Sequence, residues 1–300
     1  MKTWVAESMM LIACVIWGCA FAVMKDALDA IMPNYILAFR FTIAAVLMGI
    51  FMWKKLGGIP AREWLAGLVV GALMYGAYLL QTVGLQYTTA GKNAFLTAVY
   101  VVLVPFMLWG VRHIRPDKFN MIAAVLCLLG IGTLSLDGGF SINIGDALTL
   151  LGGIFYGLHI VAVSFFTEKY DVMRLTWMQF FFTAIFAWGG GLLFETFPAQ
   201  WSTGSTLSIA YLGVLATLMA LTMMNVSIKY VQPSHASLLM STEAFFGCIA
   251  GILFLGEPLS WRIVLGGLLI LAAMIVSETK LSFLGKRAAM PSREDSQQSG

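Results

Sequence analysis

Runs of about 20 apolar residues recur from one end of this chain to the other, each long enough to cross the hydrocarbon core of a bilayer as a helix. Ten such windows can be cut between polar breaks, at 4–24, 35–53, 64–86, 91–111, 119–136, 145–166, 175–197, 205–228, 235–255 and 261–279. The breaks carry Pro33, Lys54-Lys55, Gly57-Gly58, Pro60, Pro116-Asp117, Asp137-Gly138-Gly139, Pro198, Gln232-Pro233 and Glu257-Pro258, residues that punctuate helices. Only 11% of the 300 residues are charged and 60% are hydrophobic, against about 25% charged in a soluble domain. So little charge cannot coat a water-soluble surface, and soluble folds are excluded. The expected fold is an all-α integral membrane protein with ten transmembrane helices.

The placement of charge orients the spans. With the first residues in the cytoplasm, the inner segments collect Lys2, Lys54, Lys55, Arg62, Arg112, Arg115, Lys118, Lys169, Arg174, Lys229, Lys280, Lys286, Arg287 and Arg293. The outer segments hold Lys25, Lys92 and Arg262, and Arg40 falls within a span. That bias follows the positive-inside rule and puts both termini in the cytoplasm. Seven Trp, at 4, 53, 64, 109, 177, 201 and 261, fall near window ends, where an interfacial aromatic belt is expected. The net charge of +3 is small and scattered, which argues against a nucleic-acid partner. Cys14, Cys19, Cys127 and Cys248 all lie inside apolar runs without metal-ligand spacing, so they read as small buried hydrophobes. The first apolar stretch imitates a signal peptide ending at Gly18-Cys19-Ala20, but Trp17 is bulky where a cleavage box requires a small residue, and a retained first span is expected. Residues 281–300 form a polar tail, expected to be disordered and cytoplasmic.

Laid on itself, the chain repeats. Trp17-Gly18 falls on Tyr156-Gly157 and Arg40-Phe41 on Gln179-Phe180 at a shift of 139, while Gly84 to Tyr87 falls on Ser227 to Tyr230 at 143. The halves, 1–140 and 141–280, therefore read as two five-helix copies of one unit. Five is odd, so the second copy enters the membrane inverted. Inverted repeats build secondary transporters, because two near-equivalent halves can exchange which side of a midplane site is open.

These patterns, together with the Ser-His-Ala-Ser run at 234–237, Glu243 and Gly256-Glu257-Pro258-Leu259, resemble the drug/metabolite transporter superfamily in its ten-helix EamA branch. The resemblance covers nearly the whole chain. It implies an exporter or permease for small metabolites, with a path lined mainly by helices three, four, eight and nine and flanked by one and six. The chain departs from the pattern at the end of helix four, where Arg112-His113-Ile114-Arg115-Pro116 replaces a Gly-Glu pair. Only Glu257 is carried over, as a structural residue.

Ionisable groups cost about 2.5–3.5 kcal/mol at the centre of a span and face protein or water. Glu243 shares a helical face with Gly247 and Gly251, small residues that let another helix approach, so it points inward. It reads either as a proton- or substrate-binding carboxylate, the candidate for proton coupling, or as a carboxyl that bonds a neighbouring helix. Arg40 either holds a substrate carboxylate in a forked pair or snorkels outward to Asp26 or Asp29. His159 shares a face with Tyr156 and Gly152 and reads as an interhelical hydrogen-bonder or a proton relay. Asn93, Thr97 and Tyr100 stripe helix four, while Tyr75, Tyr78 and Thr82 share a face of helix three with Gln81 beside it. Such stripes suit a cavity wall, or else glue between helices. Trp17 and Tyr156 flank or gate the same path, Ser241 joins Glu243 on helix nine, and Asn225 is a weaker candidate. The candidate substrate-binding set is thus Trp17, Tyr78, Gln81, Asn93, Thr97, Tyr100, Tyr156, His159, Ser241 and Glu243. His113, His159 and His235 sit on separate segments, so no metal site is expected.

No nucleotide-binding loop, dinucleotide glycine pattern, metalloprotease helix or nucleophile elbow is present. Transport must then run on gradients or downhill. The expected function is secondary transport of a small polar or amphipathic metabolite, such as an amino acid, by alternating access, either exchanging protons or as a facilitator. A non-transporting receptor or structural membrane protein is the alternative. An intramembrane enzyme would need an acid/base or metal cluster at one depth, and Glu243 has no evident partner in the sequence. No cofactor is expected. The partners are a small-molecule substrate, the lipid bilayer and, in a coupled mechanism, protons. The resemblance and the short loops imply the bacterial inner membrane. Substrate identity, transport direction and oligomeric state stay open, since the small-residue faces at Gly67/Gly71 and Gly153/Gly157 suit packing within a bundle or between chains.

Overall fold

The computed structural model of the protein describes residues 2–113, 115–136, 143–199, 201–227, 230–231 and 233–280, without the side chains of 225, 233–238, 241 and 278. The polar tail, the Asp137-Gly138-Gly139 break and the side chains of the Ser-His-Ala-Ser run lie outside the described set.

Within it, the elements are helices. The first half contributes α1 (Thr3–Ala27), α2 (Pro33–Met52), α3 (Ala61–Tyr87), α4 (Ala90–Ala98), α5 (Tyr100–Arg112) and α6 (Lys118–Ser135). The second contributes α7 (Ile144–Phe166), α8 (Val172–Phe194), α9 (Thr203–Ala210), α10 (Ala220–Ser227), α11 (Pro233–Leu255) and α12 (Trp261–Thr279). Eight helical runs are long and apolar enough to cross a membrane, and Thr242–Leu255 and Trp261–Ser277 are shorter apolar runs. The outer surface matches a lipid solvent: Leu192, Leu193 and Phe194 are 70%, 76% and 83% exposed, a patch that water would not tolerate on a monomer.

Two windows that read as single helices are irregular. The fourth turns at Val99 between α4 and α5, and Pro105 inside α5 removes a donor and crowds the carbonyl a turn earlier. The eighth widens between α9 and α10 into a π-helix, Tyr211–Met219. There Thr217 Oγ1 donates to the Leu212 carbonyl, and the Ala216 carbonyl accepts from Trp17 Nε1 at 2.7 Å on α1. A wide turn of this kind leaves backbone groups to be paired from outside the helix, and such turns are frequent at functional sites.

Packing runs between halves. α3 lies against α7, α1 against α11, α6 against α12, and α2 against α8. Glycine makes the closest of these crossings. A Cβ at Gly145 of α7 would stand 2.6 Å from the Gly84 carbonyl of α3, so the two backbones meet only because side chains are absent there. Gly67 and Gly71 face Met178 and Phe182 of α8, while Gly153 and Gly157 face α4 and α5. Both small-residue faces therefore pack within the chain.

Polar contacts sort the helix ends into two layers. One layer holds the N-terminal ends of α3, α6 and α8 and the C-terminal ends of α5, α7 and α12, tied by Arg112–Glu168 at 2.6 Å, Arg174–Glu63 at 3.5 Å and Lys280–Asp117 at 2.7 Å. The opposite layer joins the C-terminal ends of α1, α3, α8 and α11 to the N-terminal ends of α2, α4 and α7. The spans placed in these layers thus alternate in direction, α4 and α5 counting as one span.

Candidate functional site

A cavity of about 440 Å³ runs through the middle of the bundle. Nine of the candidate residues line it: Trp17 on α1, Tyr78 and Gln81 on α3, Asn93 and Thr97 on α4, Tyr100 on α5, Tyr156 and His159 on α7, and Glu243 on α11. The side chain of Ser241, like that of Asn225, lies outside the described residues. Helix packing explains the convergence. Gly247, one turn beyond Glu243, abuts the Ala94 methyl of α4, so the Glu243–Gly247–Gly251 face is turned toward α4 and the cavity beside it.

The polar lining is a connected set. Gln81 Nε2 donates to Thr97 Oγ1 at 3.0 Å, and Gln81 Oε1 accepts from the Tyr156 hydroxyl at 3.0 Å. Asn93 Nδ2 donates to the Gln81 carbonyl at 3.1 Å and to Thr149 Oγ1 at 2.7 Å. His159 Nε2 lies 3.0 Å from Gln179 Oε1, so the ring nitrogen carries the proton that the amide oxygen accepts. Tyr156 packs edge-on against Tyr78 at 5.2 Å and obliquely against Tyr100 at 6.0 Å. Hydrogen bonds and ring contacts together fix the rotamers of the wall, as a binding surface requires.

Arg40 does not snorkel outward: it is 2% exposed. Its Nε donates to Thr217 Oγ1 at 3.0 Å, and its guanidinium carbon sits 4.8 Å and 5.3 Å from the centres of the Tyr78 and Phe41 rings. The π-helix supplies the hydroxyl and two aromatic faces stabilise the cation, which leaves Arg40 in the cavity wall. Tyr75 leaves the wall instead: its hydroxyl donates to Asn34 Oδ1 at 2.7 Å. Sequence reasoning passed over Gln179 and Thr176 of α8, which also line the cavity. Gln179 had a signal, its alignment with Arg40 in the internal repeat.

The cavity reaches Thr167 and Val172 at the α7–α8 connection. At the opposite layer, carboxylates of the second half grip helix N-termini of the first. Glu195 accepts from the backbone N–H of Asn34 and from its Nδ2, the latter at 2.7 Å. Glu257 accepts from the N–H groups of Ala90 and Gly91. Asp146, fully buried, accepts from the Thr88 hydroxyl and pairs with Lys92 at 3.3 Å. Lys25 Nζ donates to the Thr88 carbonyl at 2.8 Å. A carboxylate at a helix N-terminus satisfies donors that the helix itself cannot and meets the positive end of the dipole, so Glu257 is structural, as expected. Among the described residues no group of three or more His, Cys, Asp or Glu is placed to hold a metal ion.

Comparison with known proteins agrees with this architecture. A crystal structure superposes with a TM-score of 0.66 at 15% identity, over 92% of this chain and 98% of that one, which is a likeness of fold. An "Uncharacterized transporter" of Archaeoglobus fulgidus is 32% identical over 262 residues, 87% of this chain and 82% of the relative. Bacillus subtilis "Uncharacterized transporter YcxC" is 26% identical over 92% of this chain and 94% of its own length. "Solute carrier family 35 member F2" of Xenopus tropicalis is 26% identical over 81% of this chain and 66% of that protein. Residues 4–136 and 143–279 each match the EamA-like transporter family. The chain is a multi-pass membrane protein, and it belongs to the EamA-like transporter family.

Proposed function

We propose that the protein is a secondary transporter of small metabolites, amino acids among the candidate substrates, working by alternating access between two inverted five-helix halves, residues 1–140 and 141–280. On this reading all ten apolar runs cross the membrane, the N-terminus and the tail at 281–300 lie in the cytoplasm, and the membrane is the bacterial inner one.

The observation that carries the reading is a central cavity lined by repeat-related residues of both halves, reaching one face while polar grips close the other. Trp17 and Tyr156 both line it, as do Arg40 and Gln179, and each pair is related by the shift of 139 found in the sequence. Neighbours repeat at shifts of 139 or 143. Gly18 abuts Phe246 and Gly157 abuts Met107. Cys14 Sγ donates to the Leu239 carbonyl, and its counterpart Gly153 lies against the Leu96 carbonyl. His113 and Gly256, 143 apart, end α5 and α11 in left-handed conformations, φ 59° and 65°. Two matches to one family in a single chain support the duplication independently. Near-equivalent halves have two exchangeable packings of similar energy, which alternating access requires.

On this reading the cavity opens to the cytoplasm, supported by its reach to the α7–α8 connection on the Lys- and Arg-rich side. Glu243 is the acid lining the cavity and the candidate proton carrier; a facilitator would leave it as a substrate contact. The test is reconstitution in vesicles loaded with a metabolite extract, with release followed by mass spectrometry. At least one solute should leave faster than from vesicles carrying a Thr97→Trp variant with a filled cavity. Equal leakage of every solute would refute the carrier reading.

A further inference from the structure

Resting on the carrier reading, we infer that Arg40 offers the two terminal nitrogens of its guanidinium to the cavity as a fork for a carboxylate group of the transported solute. Arg40 lines the cavity and is otherwise buried. Its Nε is committed to Thr217 Oγ1 at 3.0 Å. Nη1 and Nη2 have no hydrogen-bond partner among the described residues, yet both keep surface that a water molecule can touch. The little surface of this residue therefore includes both terminal nitrogens, and it opens on the space that Arg40 lines.

The guanidinium is held from behind. Its central carbon lies 4.8 Å from the centre of the Tyr78 ring and 5.3 Å from that of Phe41, and Phe41 and Thr217 are both fully buried. The Thr217 hydroxyl gives its proton to the Leu212 carbonyl across the π-helix, so towards Arg40 that oxygen can only accept. Anchoring Nε leaves the Nη1–Nη2 edge free, a planar pair of donors that matches the two oxygens of a carboxylate. Two rings and a neutral hydroxyl offset only part of the cost of burying a cation. Among the described residues no acid lies within 4.0 Å to supply the rest.

Glu243, the acid of the lining, has no ion-pair or hydrogen-bond partner among the described residues either. α1 touches the surroundings of both groups: Trp17 Nε1 donates to the Ala216 carbonyl beside Thr217, and Gly18 abuts Phe246, one turn from Glu243. A lining with both signs selects no net charge; what the fork selects is a carboxylate group. Its charge is balanced in one of two ways. A plain carboxylate balances Arg40 while Glu243 is protonated, and an amino-carboxylate gives its ammonium to an ionised Glu243. The rings of Trp17, Tyr78, Tyr100 and Tyr156 supply contact area for an apolar body.

The probes are matched acids and amides, 3-phenylpropanoate with 3-phenylpropanamide and phenylalanine with phenylalaninamide, titrated against the purified full-length protein in nanodiscs. In at least one pair the carboxylate should bind at least about tenfold more tightly than its amide, the range of a hydrogen bond to a charged group. Preference in the first pair alone marks a plain carboxylate, and preference in the second alone marks one whose ammonium meets Glu243. Arg40→Met should bring the acid and amide of that pair to near-equal affinity and leave the melting temperature unchanged or raised, since it removes a buried cation without a counter-ion. A purely structural arginine would weaken acid and amide alike and leave their ratio standing. Thr217→Val frees the Nε edge and is the companion should Arg40→Met fail to fold; the ratio should fall there too. Equal affinity within both pairs, or a ratio that survives these variants, would mean that the fork holds water or chloride only, and would overturn the inference. Where none of the probes binds, release from the metabolite-loaded vesicles decides, and carboxylate flux that Arg40→Met abolishes is the expected result. Flux confined to solutes without a carboxylate would sink the fork and leave the carrier standing; absence of any flux would remove the carrier itself.

Discussion

Glu243 is the proposed proton carrier. It lines the cavity on α11 at a level set by the contact of Gly247 with Ala94. Glu243→Gln keeps its size and removes its titration. In vesicles, the variant should lose the response of flux to an imposed pH gradient, with coupled transport falling at least about tenfold, the scale of a lost buried charge interaction. An unchanged gradient response would remove Glu243 as the proton carrier, and no gradient response in the unmodified protein would make it a facilitator. Much of this wall was legible in the sequence, because a polar or aromatic residue inside an apolar run has few stable positions other than the protein interior. Nine candidates chosen on that ground do line the cavity. The Arg40 contact was not readable, because its partner, Thr217, lies 177 residues away on a widened turn, and nothing local to Arg40 announces it.

Among the elements, the grips at helix N-termini decide how firmly one face is closed. Glu257→Ala would leave the Ala90 and Gly91 N–H groups at the start of α4 without their carboxylate and should destabilise the protein by about 1–2 kcal/mol, read as a lower midpoint of thermal unfolding in detergent. Because Glu257 bridges α11 to α4, the same variant should raise the labelling of a cysteine placed at Tyr87 on that face. At the other face the Lys280 ammonium, hydrogen-bonded to Asp117, holds that carboxyl below its ordinary value of 3.8, the neighbouring Asn120 and Phe119 N–H groups adding to the effect. A depressed carboxyl stabilises the fold fully above its unfolded value and loses that contribution as pH falls through the folded one. Lys280→Ala should therefore lower the unfolding midpoint at pH 7 and lower it less at pH 3. The pair is exposed, so its contribution is at most about 1 kcal/mol. Span limits were readable to within a few residues from apolar length alone. The turn at Val99 and the π-helix at Tyr211–Met219 were not, since a uniformly apolar run carries no periodicity from which a change of pitch could be read. The grips of Asp146 and Glu195 were equally hidden: each acid stands at a window's edge, where a solvated loop charge has the same signature.

For the molecule as a whole, the crossing of α3 and α7 is a seam where two backbones meet at glycine. Gly84→Leu would drive a side chain into Gly145 and Thr149, both under 3.0 Å from a Cβ at that position, and overpacking of this sort costs about 1–3 kcal/mol or more. The variant should express poorly, or fold with transport abolished, as measured by yield after size-exclusion chromatography and by vesicle flux. The proposed repeat rests in the sequence on a shift of 139 that aligns Trp17-Gly18 with Tyr156-Gly157. What the sequence left open was which face the cavity reaches, a property of the packing and of no residue alone.

Alternation is tested most directly by distances measured across both faces of one protein. Spin labels at Tyr87 and Thr203 span the gripped face between the halves, and labels at Lys54 and Lys169 span the face that the cavity reaches; all four positions are exposed. Pulsed electron–electron resonance in nanodiscs, with and without transported solute, should give two populations in each pair, the first distance lengthening as the second shortens. Fixed distances in both pairs during solute flux, or both lengthening together, would contradict the account.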